Sequence, residues 1–350
     1  MEDDRKKVGI LLAAGLVLTW FTCQKLSAKD IDNVPDPHKV VNQDKKSKKE
    51  RPRMDLAFCI DTTGSMQAEI DMVKSKVKEL VAQLAHGNPS PDIRVGMIAF
   101  RDRGDEYVTK TFKFTDDIDQ FVKDIDDLKA RGGGDGPEAV CQALHASVND
   151  LEWDASKKTS KLLFLIGDAG PKVYKDDYKW EDESRKAIAR GIQINTIGCE
   201  GLQSFPGPRG MDVFKQIAKL ADGQFELLAY KQVITRGDGK SATLVRAGGE
   251  TYEMKADIPS SEWTRGAKAL MAEGKVRKVA APSMSAVSSR GVMPASAPMG
   301  MADSFYESGS MARGGAPAQS FGRKTNNLDS VLIRAARKKA EKDLNVDYSD

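Results

Sequence analysis

The chain has 350 residues, a formal net charge of +3 and 30% charged residues. That length accommodates one sizeable α/β domain with appendages, and the near-neutral balance gives no electrostatic case for a nucleic-acid partner. The three histidines lie far apart, and Cys23, Cys59, Cys141 and Cys199 fit no zinc signature, no C-x-x-C and no disulfide framework. Buried free thiols are the reading they support.

In chain order, Val8–Cys23 is uncharged and mostly apolar. It falls short of the roughly 20 residues a spanning helix needs, yet is long for a signal-peptide core. Leu26-Ser27-Ala28 is a poor cleavage site, so 1–28 reads as a signal anchor or a signal peptide. The segment is the expected membrane contact; basic residues flank it in similar number, and the main domain is expected outside the cytoplasm, in the periplasm or at the cell surface. Residues 29–53 carry three prolines and the basic run Lys45–Lys49, and read as a polar linker.

Residues 54–230 alternate strands and helices. The apolar run Met54–Ile60 reads as a buried central strand ending in Asp61. Ile70, Val73, Val77, Leu80 and Leu84 have helical spacing within a helix over 66–84. Further strands are expected at Ile93–Phe100, Tyr107–Phe114 (an edge), Lys161–Gly167, Ile192–Gly198 and Gln224–Leu228. Helices are expected from a Thr115 cap through Leu128, from Pro137 to Leu151, and near 181–190 and 211–220. The pattern implies a doubly wound, mostly parallel sheet covered on both faces. In such sheets ligands bind outside the carboxyl ends of the strands.

Asp61, Thr63 and Ser65 follow the central strand at alternate positions, so the chain can aim three oxygens at one point. Hard cations such as Mg²⁺ or Mn²⁺ take such ligands, although Asp, Thr and Ser are also ordinary turn and cap residues. Asp168 ends another strand and Asp135 sits in the glycine loop 132–136, which would place both acids on the same rim. A turn acid capping the following helix is the competing reading of Asp135. Arg101 and Asp102 read as a loop salt bridge supporting the rim.

Beyond Tyr230, Ala242–Arg246 and Thr251–Lys255 form a candidate hairpin and Glu262–Ala272 a short helix, within an accessory region spanning 231–279. Residues 280–323 are mostly Ala, Ser, Gly, Pro and Met, a composition that cannot bury a core and reads as disordered. Asn327–Leu344 reads as a basic amphipathic helix that docks on the protein itself, a partner or a membrane surface.

Asp61-x-Thr63-x-Ser65 after a hydrophobic strand, Gly132-Gly133-Gly134-Asp135 and Leu165-Ile166-Gly167-Asp168 resemble the von Willebrand factor type A (VWA) domain with its metal-ion-dependent adhesion site (MIDAS). Phe100-Arg101-Asp102 and Gly133–Glu138 resemble a subgroup found in bacterial and some eukaryotic intracellular proteins. The resemblance implies a Rossmann-like sheet of six strands with one antiparallel edge, the role assigned to Tyr107–Phe114. It also implies a divalent cation (Mg²⁺, or Mn²⁺ or Ca²⁺) at the rim. Thr63 and Ser65 would then be direct ligands, with Asp61 and Asp168 acting directly or through waters. Asp135 stands where many members have threonine, which implies tighter resting metal binding and a weaker demand for an acidic partner.

The function expected is a non-enzymatic, membrane-tethered module that binds a protein partner of unspecified identity, with no small-molecule substrate. One alternative is an assembly subunit working with a ring ATPase on the cytoplasmic side. A Mg²⁺-dependent phosphohydrolase is the other; those enzymes want a second acid two residues after the first, where this chain has Thr63. The glycine loop also lacks the Lys-Ser/Thr ending of a phosphate-binding loop.

Overall fold

The computed structural model describes residues 51–350 except Asp135, 203–208, 237–238, 248–249, 256–257, 264–266, 281–319, 322–324 and Asp350. The chain divides into 1–50 and 51–350. The expected anchor (1–28), most of the linker (29–53), Asp135 and most of 280–323 lie outside the described residues.

Arg53–Asp61 forms β1, buried at every position after Arg53. It pairs in parallel with β2 (Asp92–Phe100) on one side and β4 (Ser160–Gly167) on the other. A strand covered on both faces needs an unbroken apolar run rather than alternation, which is what Met54–Ile60 supplies. Side chains two residues apart share a face: Met54, Leu56, Phe58 and Ile60 enter one core cluster, Ala57 and Cys59 the other. The remaining strands are β3 (Thr109–Thr115), β5 (Ile192–Gly198) and β6 (Phe225–Leu227), giving the order β3-β2-β1-β4-β5-β6. Only β3 runs antiparallel. The six-stranded, Rossmann-like α/β sheet implied by the sequence is the fold.

Two helices have different bounds from those the sequence predicts. α2 spans Ile118–Asp124 and is capped by Asp117, whose side chain accepts from Gln120 N; Thr115 Oγ1 instead accepts from Asp117 N at 3.0 Å. α3 begins at Val140 and runs to Asn149 rather than starting at Pro137. Glu138 lies in extended backbone before it, where its N–H donates to Gly170 O (3.0 Å) and its C=O accepts from Lys172 N (2.8 Å).

α1 (Gln67–Ala85) buries Ile70, Val73, Val77, Leu80 and Leu84 on the Phe58 face of the sheet. That face is closed from the far end of the chain. α7 (Leu328–Leu344) packs on α1 and β4, placing Leu328, Val331, Leu332, Ala336 and Ala340 in the same cluster. The amphipathic C-terminal helix therefore docks on the protein itself. α4 (Trp180–Ala189), α5 (Arg209–Leu220) and α3 cover the opposite face.

Between β6 and α7 the chain builds a second, antiparallel sheet. Its strands are β7 (Tyr230–Thr235), β8 (Ser241–Ala247), β9 (Glu250–Met254), β10 (Val276–Val279), β11 (Ser320–Phe321) and β12 (Thr325–Asn326). The order is β10-β9-β8-β7-β11, with β12 also on β7. The expected hairpin is β8–β9; β7 and β10 extend it beyond the hairpin and helix that the sequence implies. The expected helix over 262–272 is a 3-10 turn at Ser260–Glu262 followed by α6 (Ala267–Ala272). Val245, Tyr252, Ile258, Trp263, Leu270 and Val276 form the small core of this region. The excursion leaves and returns at one point, where Ala229 N donates to Asn327 Oδ1 at 2.9 Å.

Candidate functional site

β1 and β4 are neighbours in register, with Ile60 opposite Ile166, so Asp61 and Asp168 emerge side by side at the carboxyl edge. Gly167, just before Asp168, abuts Asp61: a Cβ there would lie in ordinary contact, 3.5 Å from Asp61 Cβ and 3.7 Å from Asp61 Oδ2. Asp61 is fully buried. Its Oδ1 accepts from Thr63 N (2.8 Å) and Thr63 Oγ1 (2.7 Å), while Oδ2 has no hydrogen-bond partner. Because the Thr63 hydroxyl hydrogen is spent on Asp61, its oxygen lone pairs remain for another group. Ser65, in the 3-10 turn Gly64–Met66, hydrogen-bonds Asp168.

The glycine loop comes from across the rim. Gly64 N donates to Gly132 O (3.2 Å) and Arg131 N to Thr62 O (3.0 Å), joining the two loops directly. Gly132 and Gly133 have φ of +75° and +72°, the left-handed region that glycine enters without a Cβ penalty. Asp105 holds this turn: its Oδ2 accepts from Gly133 N at 3.1 Å and from Asp102 N at 3.3 Å.

Arg101 supports the rim as the sequence implies, with different partners. Its guanidinium donates to Thr62 O (3.2 Å), Lys129 O (3.0 Å) and Glu106 (3.2 Å), and lies over the Tyr107 ring at 4.3 Å. Asp102 pairs instead with Lys172 and Tyr174.

Thr63, Gly64, Ser65, the glycine loop, Glu138, Asp168, Glu200 and Gly201 line one open cleft of about 380 Å³. The structure thus brings together Asp61, Thr63, Ser65 and Asp168; Asp135 lies outside the described residues. Sequence reasoning missed Glu138, which is 3% exposed and whose Oε2 has no partner. Its position in the Gly133–Glu138 stretch marks the neighbourhood, but its inward turn depends on the pairing with 170–172.

The electrostatics are those of crowded acids. Burial, then the charge of Asp168, raises the Asp61 carboxyl to about 7. Asp168 is also raised by burial, despite its bond from Ser65. Glu138 is pushed up to about 9 by burial and by Asp61, Asp102, Asp105 and Asp168. Among the described residues, no three His, Cys, Asp or Glu side chains form a ready-made metal cage. The donor set is instead carboxylates interleaved with hydroxyls, with one fully buried carboxylate oxygen unpaired. It fits a hard dication, because buried like charges with an orphaned oxygen are relieved by a cation.

A family model described as the von Willebrand factor A domain matches residues 55–228. The chain is similar to human von Willebrand factor A domain-containing protein 7, with 33% identity over 123 residues, covering 35% of this chain and 12% of that protein. It is also similar to the Dictyostelium discoideum alpha-protein kinase vwkA, with 30% identity over 117 residues, covering 33% of this chain and 18% of the kinase. The chain thus spans less than a fifth of the length of these relatives. The SpRpn10 VWA domain is similar at 15% identity and a TM-score of 0.36, covering 51% of this chain and 86% of that one.

Proposed function

Because residues 55–228 are a von Willebrand factor A domain, we propose that this chain is a non-enzymatic protein-binding module engaging its partner through a divalent cation at the rim. Domains of this kind are commonly protein-interaction modules. The observation that carries the reading is Asp61 Oδ2, fully buried, without a partner, beside Asp168 at the carboxyl edge. Leaving such an oxygen bare is costly, and a cation is what its surroundings suit.

Thr63 and Ser65 would hold the ion through their hydroxyls, and Asp61 and Asp168 directly or through water. Asp135 joins them on its sequence position. When bound, Mg²⁺ would supply an electrophilic position for an oxygen of the partner. Asp61 orients the Thr63 hydroxyl, Ser65 steadies Asp168, and Arg101 and Asp105 fix the two loops that carry these groups.

The absence of enzymatic turnover belongs to the same proposal. Thr63 stands where a phosphohydrolase needs its second acid, and burial raises the Cys59 and Cys141 thiols to about 12 and the Cys199 thiol as well, which makes them poor nucleophiles. Membrane tethering outside the cytoplasm is carried by the sequence Val8–Cys23 alone. Among the described residues, no helix is long and apolar enough to cross a membrane.

The test is a thermal melt of the full chain with millimolar Mg²⁺ or chelator, beside Asp61→Ala. A ligand of the native state raises the midpoint with its occupancy. A Mg²⁺-dependent rise in wild type that disappears in the variant is expected; no rise with Mg²⁺, Mn²⁺ or Ca²⁺ would sink the proposal.

A further inference from the structure

Resting on that reading of the rim, we infer that Glu138 joins the cation site when the ion binds, its carboxylate filling the role that a partner's acidic side chain would otherwise take. The residue is pinned on both sides of its own peptide unit, by Gly170 O and by Lys172 N, so its backbone cannot turn away from the cleft without breaking two bonds. It is 3% exposed, and Oε2 has no hydrogen-bond partner. It lines the same cleft as Thr63, Ser65 and Asp168.

Its nearness to the Thr63 side chain shows at Gly133. A Cβ on that residue would meet Thr63 Cβ at 3.0 Å and Glu138 Oε1 at 3.2 Å. The carboxylate and the threonine thus flank one glycine. Two neighbouring arginines are committed elsewhere: Arg101 to Thr62, Lys129 and Glu106, and Arg103 to Gln142 and Asp177. Two buried carboxylate oxygens without donors, Glu138 Oε2 and Asp61 Oδ2, are matched by a cation rather than by protein hydrogen bonds.

The consequence is one of charge. Once a cation is bound, Asp61, Asp168 and Glu138 would bring three formal negative charges to it, more than a dication neutralises. An acidic side chain from a partner is then repelled from this site, whereas a neutral oxygen is accepted. The partner class is therefore one that presents an amide or a hydroxyl oxygen to the rim.

The experiment uses Mn²⁺ as the probe, with free ion counted by electron paramagnetic resonance during titration of the full chain. Asp61→Asn is expected to abolish binding, and Glu138→Gln and Glu138→Asp to weaken it by at least about tenfold. Glu138→Gln should melt no lower than wild type in chelator, since it removes an unpartnered buried acid. If it fails to fold, Glu138→Asp, which keeps the charge and shortens the reach, decides alone. Loss of Mn²⁺ in Asp61→Asn with wild-type affinity in the Glu138 variants would overturn the role of Glu138 and leave the cation site standing. No Mn²⁺ binding by wild type would overturn both. Acetate tests the exclusion of acids: with protein in saturating excess so that all Mn²⁺ is bound, its methyl protons should relax faster in Glu138→Gln than in wild type, and equal relaxation in the two would overturn the exclusion.

Discussion

The Tyr230 hydroxyl donates to Glu69 Oε1 at 2.8 Å, tying the first residue of β7 to the first turn of α1. Asn326 Nδ2 reaches the same oxygen at 3.2 Å, and Glu200 N donates to the Tyr230 oxygen at 2.9 Å. Glu200 lines the rim cleft and pairs with Arg246 of β8. The second sheet is thus joined to the site through a buried phenol and through the Arg246–Glu200 ion pair. Tyr230→Phe removes the hydroxyl that Glu69 and Glu200 N share, and should lower stability by about 1–3 kcal/mol, read from the urea midpoint.

The helix α7 closes a core that the rest of the domain leaves open, so Leu332→Ala should cost about 2–5 kcal/mol. Ending the chain before Asn327 should remove cooperative unfolding, seen as dye binding to exposed apolar surface and a broadened transition. A truncated chain that melts sharply at the wild-type temperature would contradict the packing role of α7.

Stability without metal should fall as pH rises. Asp61 and Glu138 have folded-state values of about 7 and about 9, above their ordinary 3.8 and 4.5. For carboxyls raised on folding, the contribution is fully present below about pH 4 and is lost as pH climbs through 7 and then 9. Urea unfolding in chelator at a series of pH values checks the slope, and millimolar Mg²⁺ should flatten it. Stability that rises between pH 5 and 8 in chelator would contradict the crowding of these acids.

Gly133→Ala should act on both the turn and the site. The φ of +72° costs an alanine roughly 1–2 kcal/mol, and the new methyl meets Thr63 Cβ at 3.0 Å. A lower melting temperature together with weaker Mg²⁺ protection is expected; the same substitution at Gly134, where an added Cβ meets nothing within 4 Å, should be mild by both measures.

What the sequence made legible is what local spacing encodes. Asp61, Thr63 and Ser65 follow one strand, and Asp168 follows its neighbour, so strand ends alone bring them together. Glu138 was hidden because Pro137 looks like a helix start, while the pairing of Glu138 with Pro171 delays the helix to Val140. Asp117 displaced Thr115 as the cap by a two-residue shift that composition does not resolve. The periodicity of 328–344 gave α7 an apolar face without saying that β4 and α1 lie beneath it. In β7 and β10, lysines and arginines interrupt the apolar pattern, so neither strand announces itself. The Arg103-Gly104-Asp105 triplet, which spells an adhesion tripeptide, spends its acid internally on Gly133 N.

The contact between Ala229 and Asn327 makes everything from β7 to β12 a closed detour from the core. The entropy of closing such a detour grows only logarithmically with its length, by about 0.6 kcal/mol per doubling. Lengthening such a detour therefore taxes the domain very little.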